Sequence, residues 1–308
     1  VAILGLGAMG RRHARVLLAL PERFRLVGAY DPAPEFAPPD DVAFFGSEAE
    51  AIARAEVVIV ASPVEAHSAT VADALAGGRH VLVEKPLCTD AVEARSLAAN
   101  ARSDARLFVG HSERFNPVIR ALARLVRSDP AVGVDLTRVG PTAARAPGVL
   151  LNLGVHDFDL ARYLTRGEIG LRHVEGPEQA TRCRDDLARV LFESTSGATG
   201  SIHVDRTAAA KRRTIRLTTT RWVYEGDLAA HRLARTARAT GRRAEVPLVH
   251  EEPLRAQAIA LADALDGAPP GVRELADGFD GARAVALADE AAGLRTDEAE
   301  KLSLLGSP

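Results

Sequence analysis

Two short segments carry residue types that can move protons and stabilise charge. In Val81-Leu82-Val83-Glu84-Lys85-Pro86, a glutamate, a lysine and a proline close an apolar run that reads as a buried strand. Of the 39 basic residues only three are lysines: Lys85, Lys211 and Lys301. Lysine can lose its proton when desolvated and arginine cannot, so a lysine at a strand end has a chemical use that an arginine lacks. Its other reading is a solvated loop cation. The second segment, Gly148 to Asp159, contains Asn152, His156, Asp157 and Asp159. Asn152 and His156 are one helical turn apart and share a face wherever a helix spans both. A neutral imidazole is the usual general base near neutral pH. The alternative is structural: Asn152 as a helix N-cap, Asp157 and Asp159 complementing the first-turn dipole, and His156 as a core histidine.

A third segment specifies a ligand. Gly5-Leu6-Gly7-Ala8-Met9-Gly10 directly follows the apolar run Val1–Leu4 and opens a helical pattern of Met9, His13, Val16, Leu17 and Leu20. Asp31 closes the next strand, about 20 residues beyond Gly10. A G-x-G-x-x-G between strand and helix, followed by such an acid, is the fingerprint of a dinucleotide site. Gly5 permits the tight turn, Gly7 lets a pyrophosphate approach the backbone, and Gly10 allows close helix–strand packing. The helix start, Ala8 and Met9 included, offers N–H groups to phosphates. Asp31 accepts hydrogen bonds from a ribose diol and repels a 2′-phosphate. That favours NAD, while Arg11 and Arg12 leave NADP open. Ser62-Pro63 with His67, and Glu84-Lys85, fall at other strand ends, where open α/β sheets bind ligands. His67 by itself reads as structural, and the glycines could serve only to shape a βα turn.

The elements that must position these groups follow from periodicity. Strands are expected at Val1–Leu4, Phe24–Tyr30, Val42–Phe45, Val57–Ala61, His80–Glu84 and Leu107–Gly110. Helices intervene from Met9, Glu48, Ala66 and Asp90, and a loop runs from Pro32 to Asp41. This alternation specifies βαβ units and a doubly wound parallel sheet. It stops near His111. A helix over about 117–127 and a strand Gly133–Val139 follow. Then come alternating runs at Leu187–Glu193, Ala198–Asp205, Thr214–Thr219 and Trp222–Glu225, which read as a mainly antiparallel sheet. Helices over 252–266 and 278–293 and a frayed polar tail close the chain. The expected domains are 1–112 and 113–308. His111-Ser112-Glu113-Arg114-Phe115-Asn116-Pro117 lies at the junction. Its Arg114 and Asn116 can line a substrate cleft or serve as hinge and cap. Arg138, Arg145, Trp222 and Tyr224 are further candidates to contact a nucleotide or phosphate.

Composition narrows the classes. The 308 residues carry a net charge of −2, which gives no global field for nucleic acid or an anionic membrane. No apolar run approaches the ~20 residues of a membrane-spanning helix. Two cysteines, Cys88 and Cys183, make no disulfide framework, and no zinc-type spacing occurs, so no metal is expected. A cytoplasmic location, no signal peptide and a few residues trimmed before Val1 are the expectations.

Taken together, Gly5–Gly10, Ser62-Pro63 with His67, Glu84-Lys85-Pro86, Val109–Pro117 and Gly154-Val155-His156-Asp157-Phe158-Asp159 resemble, in order, the motifs of the Gfo/Idh/MocA family of NAD(P)-dependent sugar and cyclitol dehydrogenases. The Pro253-Leu254 helix and Asp277-Gly278 also fit. The resemblance implies a Rossmann domain followed by an α+β domain with an open, mainly antiparallel sheet. It implies Lys85 near the nicotinamide and substrate hydroxyl, and His156 as base. It also implies a small-molecule sugar or sugar-nucleotide substrate and a homo-oligomer, dimer or tetramer. Many members carry an aspartate where this chain has Asn152; an amide takes no proton but can orient a substrate. That asparagine and Val109–Pro117 resemble the UDP-N-acetylglucosamine 3-dehydrogenase branch, which predicts oxidation at C3 of a UDP-N-acetylhexosamine. The alternatives are a dehydrogenase of a free sugar or inositol and a non-catalytic NAD-binding sensor.

Overall fold

A computed structural model describes residues 1–34, 42–142, 147–176, 186–267 and 274–305, the last stretch by backbone alone from 295. Most of the Pro32–Asp41 loop, Arg145 and Cys183 lie outside the described residues. The chain divides into two compact units. The first comprises Val1–Phe115 and Glu252–Val285; the second comprises Asn116–Glu251 and the segment beginning at Ala286.

Unit 1 is built on a six-stranded sheet. Its strands are β1 (Ala2–Leu4), β2 (Gly28–Tyr30), β3 (Val57–Val60), β4 (His80–Glu84), β5 (Leu107–Gly110) and β14 (Ala276–Asp277), in the order β14-β5-β4-β3-β1-β2. All pairs are parallel except β14 with β5. The helices of this unit are α1 (Ala8–Leu18), α2 (Glu48–Arg54), α3 (Val64–Ala76), α4 (Ala91–Asn100) and α7 (Pro253–Leu265). Strands β3 and β4 are buried along nearly their whole length, as parallel strands covered on both faces must be.

Three expectations for this unit change. The second strand begins at Gly28, because Phe24 instead turns into the core beside Leu17 and Leu20. The strand expected at Val42–Phe45 is reduced to one bridge between Phe44 and Ala29. The second domain does not run unbroken from 113: Leu254, Ala258, Leu261 and Ala262 of α7 join the core of unit 1 with Ile3, Leu17 and Ile59. Packing there removes the apolar face of α7 from water.

Unit 2 carries an eight-stranded sheet in the order β13-β12-β11-β10-β6-β9-β8-β7. The strands are β6 (Ala131–Val139), β7 (Ile169–Glu175), β8 (Leu187–Ser194), β9 (Thr199–Asp205), β10 (Arg212–Thr219), β11 (Trp222–Asp227), β12 (Arg232–Ala237) and β13 (Arg243–Glu245). Only β6 with β9 is parallel. Helices α5 (Pro117–Leu125) and α6 (Val155–Thr165) belong to this unit. Strands β7, β12 and β13 were not expected. A bulge at Leu171/His173 breaks the alternation of β7, and β12 and β13 place arginines where strands usually carry β-branched residues. The last helix, α8 (Gly278–Leu305), passes Gly293 instead of fraying there. One interior glycine costs only about 1 kcal/mol, and no proline follows before Leu305. Among the described residues no helix is long and apolar enough to cross a membrane.

Candidate active site

The glycine turn has the geometry its sequence requires. Gly5 has φ +94°, and a Cβ there would lie 2.6 Å from the backbone of Ala61 and Ser62. A Cβ on Gly10 would lie 1.8 Å from the carbonyl oxygen of Gly5. Both positions exclude a side chain for reasons internal to the fold. Gly7 differs: among the described residues beyond its chain neighbours, no atom lies within 4 Å of where its Cβ would stand, and Gly7 and Ala8 are exposed. Helix α1 starts there with no side-chain cap and no acid in its first turn. Its leading N–H groups and positive dipole end thus face a space a pyrophosphate fits.

Asp31, half-buried at the end of β2, accepts hydrogen bonds from the backbone N–H of Leu6 (2.7 Å) and of Ala33 (2.9 Å). A carboxylate has about four acceptor directions, so two such contacts leave capacity for a ribose diol. At the end of β3, Ser62 Oγ is buried without a hydrogen-bond partner among the described residues, a donor and acceptor beside the turn. His67 is fully buried on α3. Its Nδ1 lies 2.9 Å from the carbonyl oxygen of Pro86, and its Nε2 lies 2.9 Å from that of Ser62. His67 therefore ties two strand-end turns together, which corrects its expected role as a cofactor contact: both ring nitrogens are already engaged.

Glu84 is corrected in the same way. Nε2 of His13, on α1, donates to its Oε1 at 2.8 Å, and the backbone N–H of Lys85 approaches its Oε2 at 3.3 Å. Both the imidazole and the carboxylate are buried. Lys85 itself is half-buried at the carboxyl end of β4, so it is not a freely solvated loop lysine. Just beyond it Cys88 is completely buried, and burial pushes its thiol pKa up. His13 was not foreseen as part of this frame; its one signal is a polar residue on the apolar stripe of α1.

Two expected substrate contacts are turned inward. Arg114 is 2% exposed and pairs with Asp280 at 3.1 Å within unit 1. Asn116 is buried in unit 2; its Oδ1 accepts from Val118 N–H, capping α5, and its Nδ2 donates to the Leu228 carbonyl. Asn116 thus serves as the cap that the motif allowed, and Arg114 is engaged with Asp280.

Asn152 and His156 lie in unit 2. A π-helical turn, Leu150–Gly154, runs straight into α6, so Asn152 is inside a helix and does not cap one. The half-exposed positions of this stretch are 152, 153 and 156, whereas Asp157 and Asp159 are buried. Asp157 stands in the first turn of α6, and its carboxylate is committed to a partner on the sheet. It forms a buried ion pair with Arg138 of β6, at 3.0 Å from Nε and 2.9 Å from Nη2. Arg138 is thereby removed from the candidate nucleotide contacts. Tyr224 is buried, and Trp222 lies under the guanidinium of Arg235, 4.5 Å from the ring centre.

Residues 1–111 match the family described as oxidoreductase family, NAD-binding Rossmann fold, and residues 126–225 match the GFO/IDH/MocA C-terminal domain. The chain belongs to the Gfo/Idh/MocA family. Its first unit is accordingly an NAD-binding Rossmann domain. Among curated members, UDP-N-acetylglucosamine 3-dehydrogenase of Acidithiobacillus ferrooxidans is 27% identical over 70% of this chain and 69% of its own length. The solved structure of that protein, GnnA, matches with a TM-score of 0.84 at 25% identity, over 97% of this chain and 98% of its own. An inositol 2-dehydrogenase of Rubrobacter xylanophilus is 31% identical over 67% of this chain, which spans 64% of that relative's length. A WlbA dehydrogenase of Bordetella pertussis, solved with NADH and UDP-GlcNAcA, shares the fold at a TM-score of 0.78 and 19% identity, over 96% of each chain.

Proposed function

We propose that this NAD-binding oxidoreductase oxidises a secondary hydroxyl of a sugar nucleotide to a ketone, at C3 of a UDP-N-acetylhexosamine. The observation that carries this reading is Asn152 standing one turn before His156 on the half-exposed face of a helix, in a chain that follows GnnA over 97% of its length. NAD, held along Gly5–Gly10 and Asp31, supplies the hydride acceptor. His156 takes the hydroxyl proton onto its imidazole as the carbon–hydrogen bond breaks. Lys85, as ammonium, stabilises the negative charge growing on the oxygen. Asn152 cannot accept that proton; it orients the substrate through its amide. The carboxylate of Asp31 favours NAD over NADP.

A second reading has its own support. The inositol 2-dehydrogenase relative is more identical to this chain than the sugar-nucleotide one is. The deciding measurement is NADH formation on a panel of UDP-N-acetylglucosamine, UDP-N-acetylgalactosamine, myo- and scyllo-inositol and free aldoses, with NAD and NADP side by side. Turnover confined to the UDP sugars supports the proposal. Turnover confined to inositols or aldoses replaces it. NADH binding with no turnover anywhere assigns a sensor.

A further inference from the structure

The turn that presents Lys85 is held from both sides by buried imidazoles. On its N-terminal side the carboxylate of Glu84 lies under the Lys85 backbone N–H, and His13 of α1 fixes that carboxylate at 2.8 Å. Gly110 makes room for it: a Cβ there would lie 3.2 Å from the Glu84 backbone and carboxylate. On the C-terminal side the Pro86 carbonyl lies 2.9 Å from His67, whose other nitrogen faces the Ser62 carbonyl. Carbonyl and carboxylate oxygens only accept, so His13 donates to Glu84, and His67 donates to one of its two carbonyls through the single N–H of a neutral imidazole while its other nitrogen packs against the second. A lysine reaches its target on a flexible four-carbon stem, and the backbone at its root is the part a fold can hold.

We infer that His13 and His67 are positioning residues for Lys85: the two rings lock the strand-end turn that sets where the ammonium stands. The inference rests on the proposed role of Lys85 for its kinetic consequence, but not for its structural one. His13 also follows the phosphate-facing turn of α1 by one helical turn, and His67 is tied to the Ser62 turn against which Gly5 packs. The clamp therefore joins the turn that fits a pyrophosphate to the turn that carries the charge-stabilising lysine. A displacement of about 1 Å in such a group costs on the order of 10² in rate.

Cys88 reports on the clamp without substrate or cofactor. It is fully buried three residues beyond Lys85 and is bonded to the Asp90 carbonyl. In a Cys183→Ser background, alkylation of Cys88 by iodoacetamide measures how often this turn opens. His67→Leu and His13→Leu should each raise that rate about tenfold or more, with little dependence on low urea, the mark of local opening. His67→Gln, whose amide still donates to a carbonyl, should fall between wild type and His67→Leu. An unchanged rate, or a rise that follows global unfolding in urea, overturns the inference whichever alcohol is oxidised. On the alcohol that the panel identifies, His67→Leu should lower kcat about 10²-fold and leave KM for NAD within a few-fold. A loss confined to KM for NAD would place His67 with the cofactor and overturn its role toward Lys85.

Discussion

Arg138 and Asp157 form a two-pronged ion pair inside unit 2, with Nε and Nη2 of the arginine 3.0 and 2.9 Å from one carboxylate oxygen and both side chains almost sealed from water. The pair binds the first turn of α6 to β6. With Asp157 fixed inward, the adjacent face carrying Asn152 and His156 is left half-exposed. Breaking one partner leaves the other charged and buried. Arg138→Met or Asp157→Asn should each cost about 3–5 kcal/mol, read by urea denaturation. The double variant Arg138→Met with Asp157→Leu should recover most of that. Single losses below about 1 kcal/mol would mean that packing alone holds α6.

The contrast between local and distant partners explains what the sequence disclosed. Gly5, Gly7, Gly10 and Asp31 work through backbone geometry set within one strand–turn–helix unit, and spacing alone reveals them. Lys85 was legible because lysine is scarce here and because it ends an apolar run. His13 was not, because its partner Glu84 is 71 residues away. Periodicity tells that His13 points inward but not which buried acid it meets. Arg114 with Asp280, and Arg138 with Asp157, hid for the same reason, and both arginines looked like ligand contacts until their acids were located. The α/β and antiparallel halves were read from alternation. The arginine-bearing strands β12 and β13 at one end of the sheet, and the return of α7 to unit 1, lack a period of their own.

The three glycines of the first turn separate folding from binding. Gly7 has φ −62°, which alanine adopts freely, and no described residue beyond its chain neighbours meets its Cβ. Gly7→Ala should melt like the wild type yet bind NADH at least about tenfold more weakly, because the methyl group occupies the space of the pyrophosphate. Gly10→Ala forces a methyl group onto the Gly5 carbonyl and should lower stability by several kcal/mol before any ligand is added. Calorimetric melts with and without NADH check both. Wild-type NADH affinity in Gly7→Ala would move the phosphates elsewhere.

The assignment of roles to Lys85 and His156 makes two different kinetic signatures. His156→Ala should lose about 10²–10⁴ in kcat and keep its NADH affinity. Lys85→Met should lose turnover far more than NAD affinity. Stopped-flow turnover beside NADH fluorescence titration separates the two. Full turnover in His156→Ala removes the base, and a pure affinity loss in Lys85→Met makes that lysine a cofactor ligand.

Asp31 braces the glycine turn through Leu6, and on the proposed reading it also faces the ribose. Asp31→Ser shortens the side chain and removes the charge, so KM for NAD should rise about tenfold or more while NADP becomes a better substrate. Parallel NAD and NADP kinetics test this. An unchanged NAD-to-NADP ratio would leave Asp31 only its contact with the turn.

Acid sensitivity should centre on Asp129, a buried carboxylate between α5 and β6. Burial, the largest influence, pushes its pKa up. Hydrogen bonds from Thr219, Thr220 and Arg221 together outweigh it, so the group titrates below its ordinary value. A carboxylate whose folded pKa is depressed adds stability above its unfolded value of about 3.9, and loses it as pH falls toward the folded one. Replacing both threonines with valine raises the folded value and removes that contribution. The double variant should therefore be less stable than wild type near about pH 7, with the gap narrowing as pH falls below about 3.9 toward the depressed folded value. Urea denaturation across that range measures it. A stability gap that does not change with pH would show that the two hydroxyls matter through packing alone.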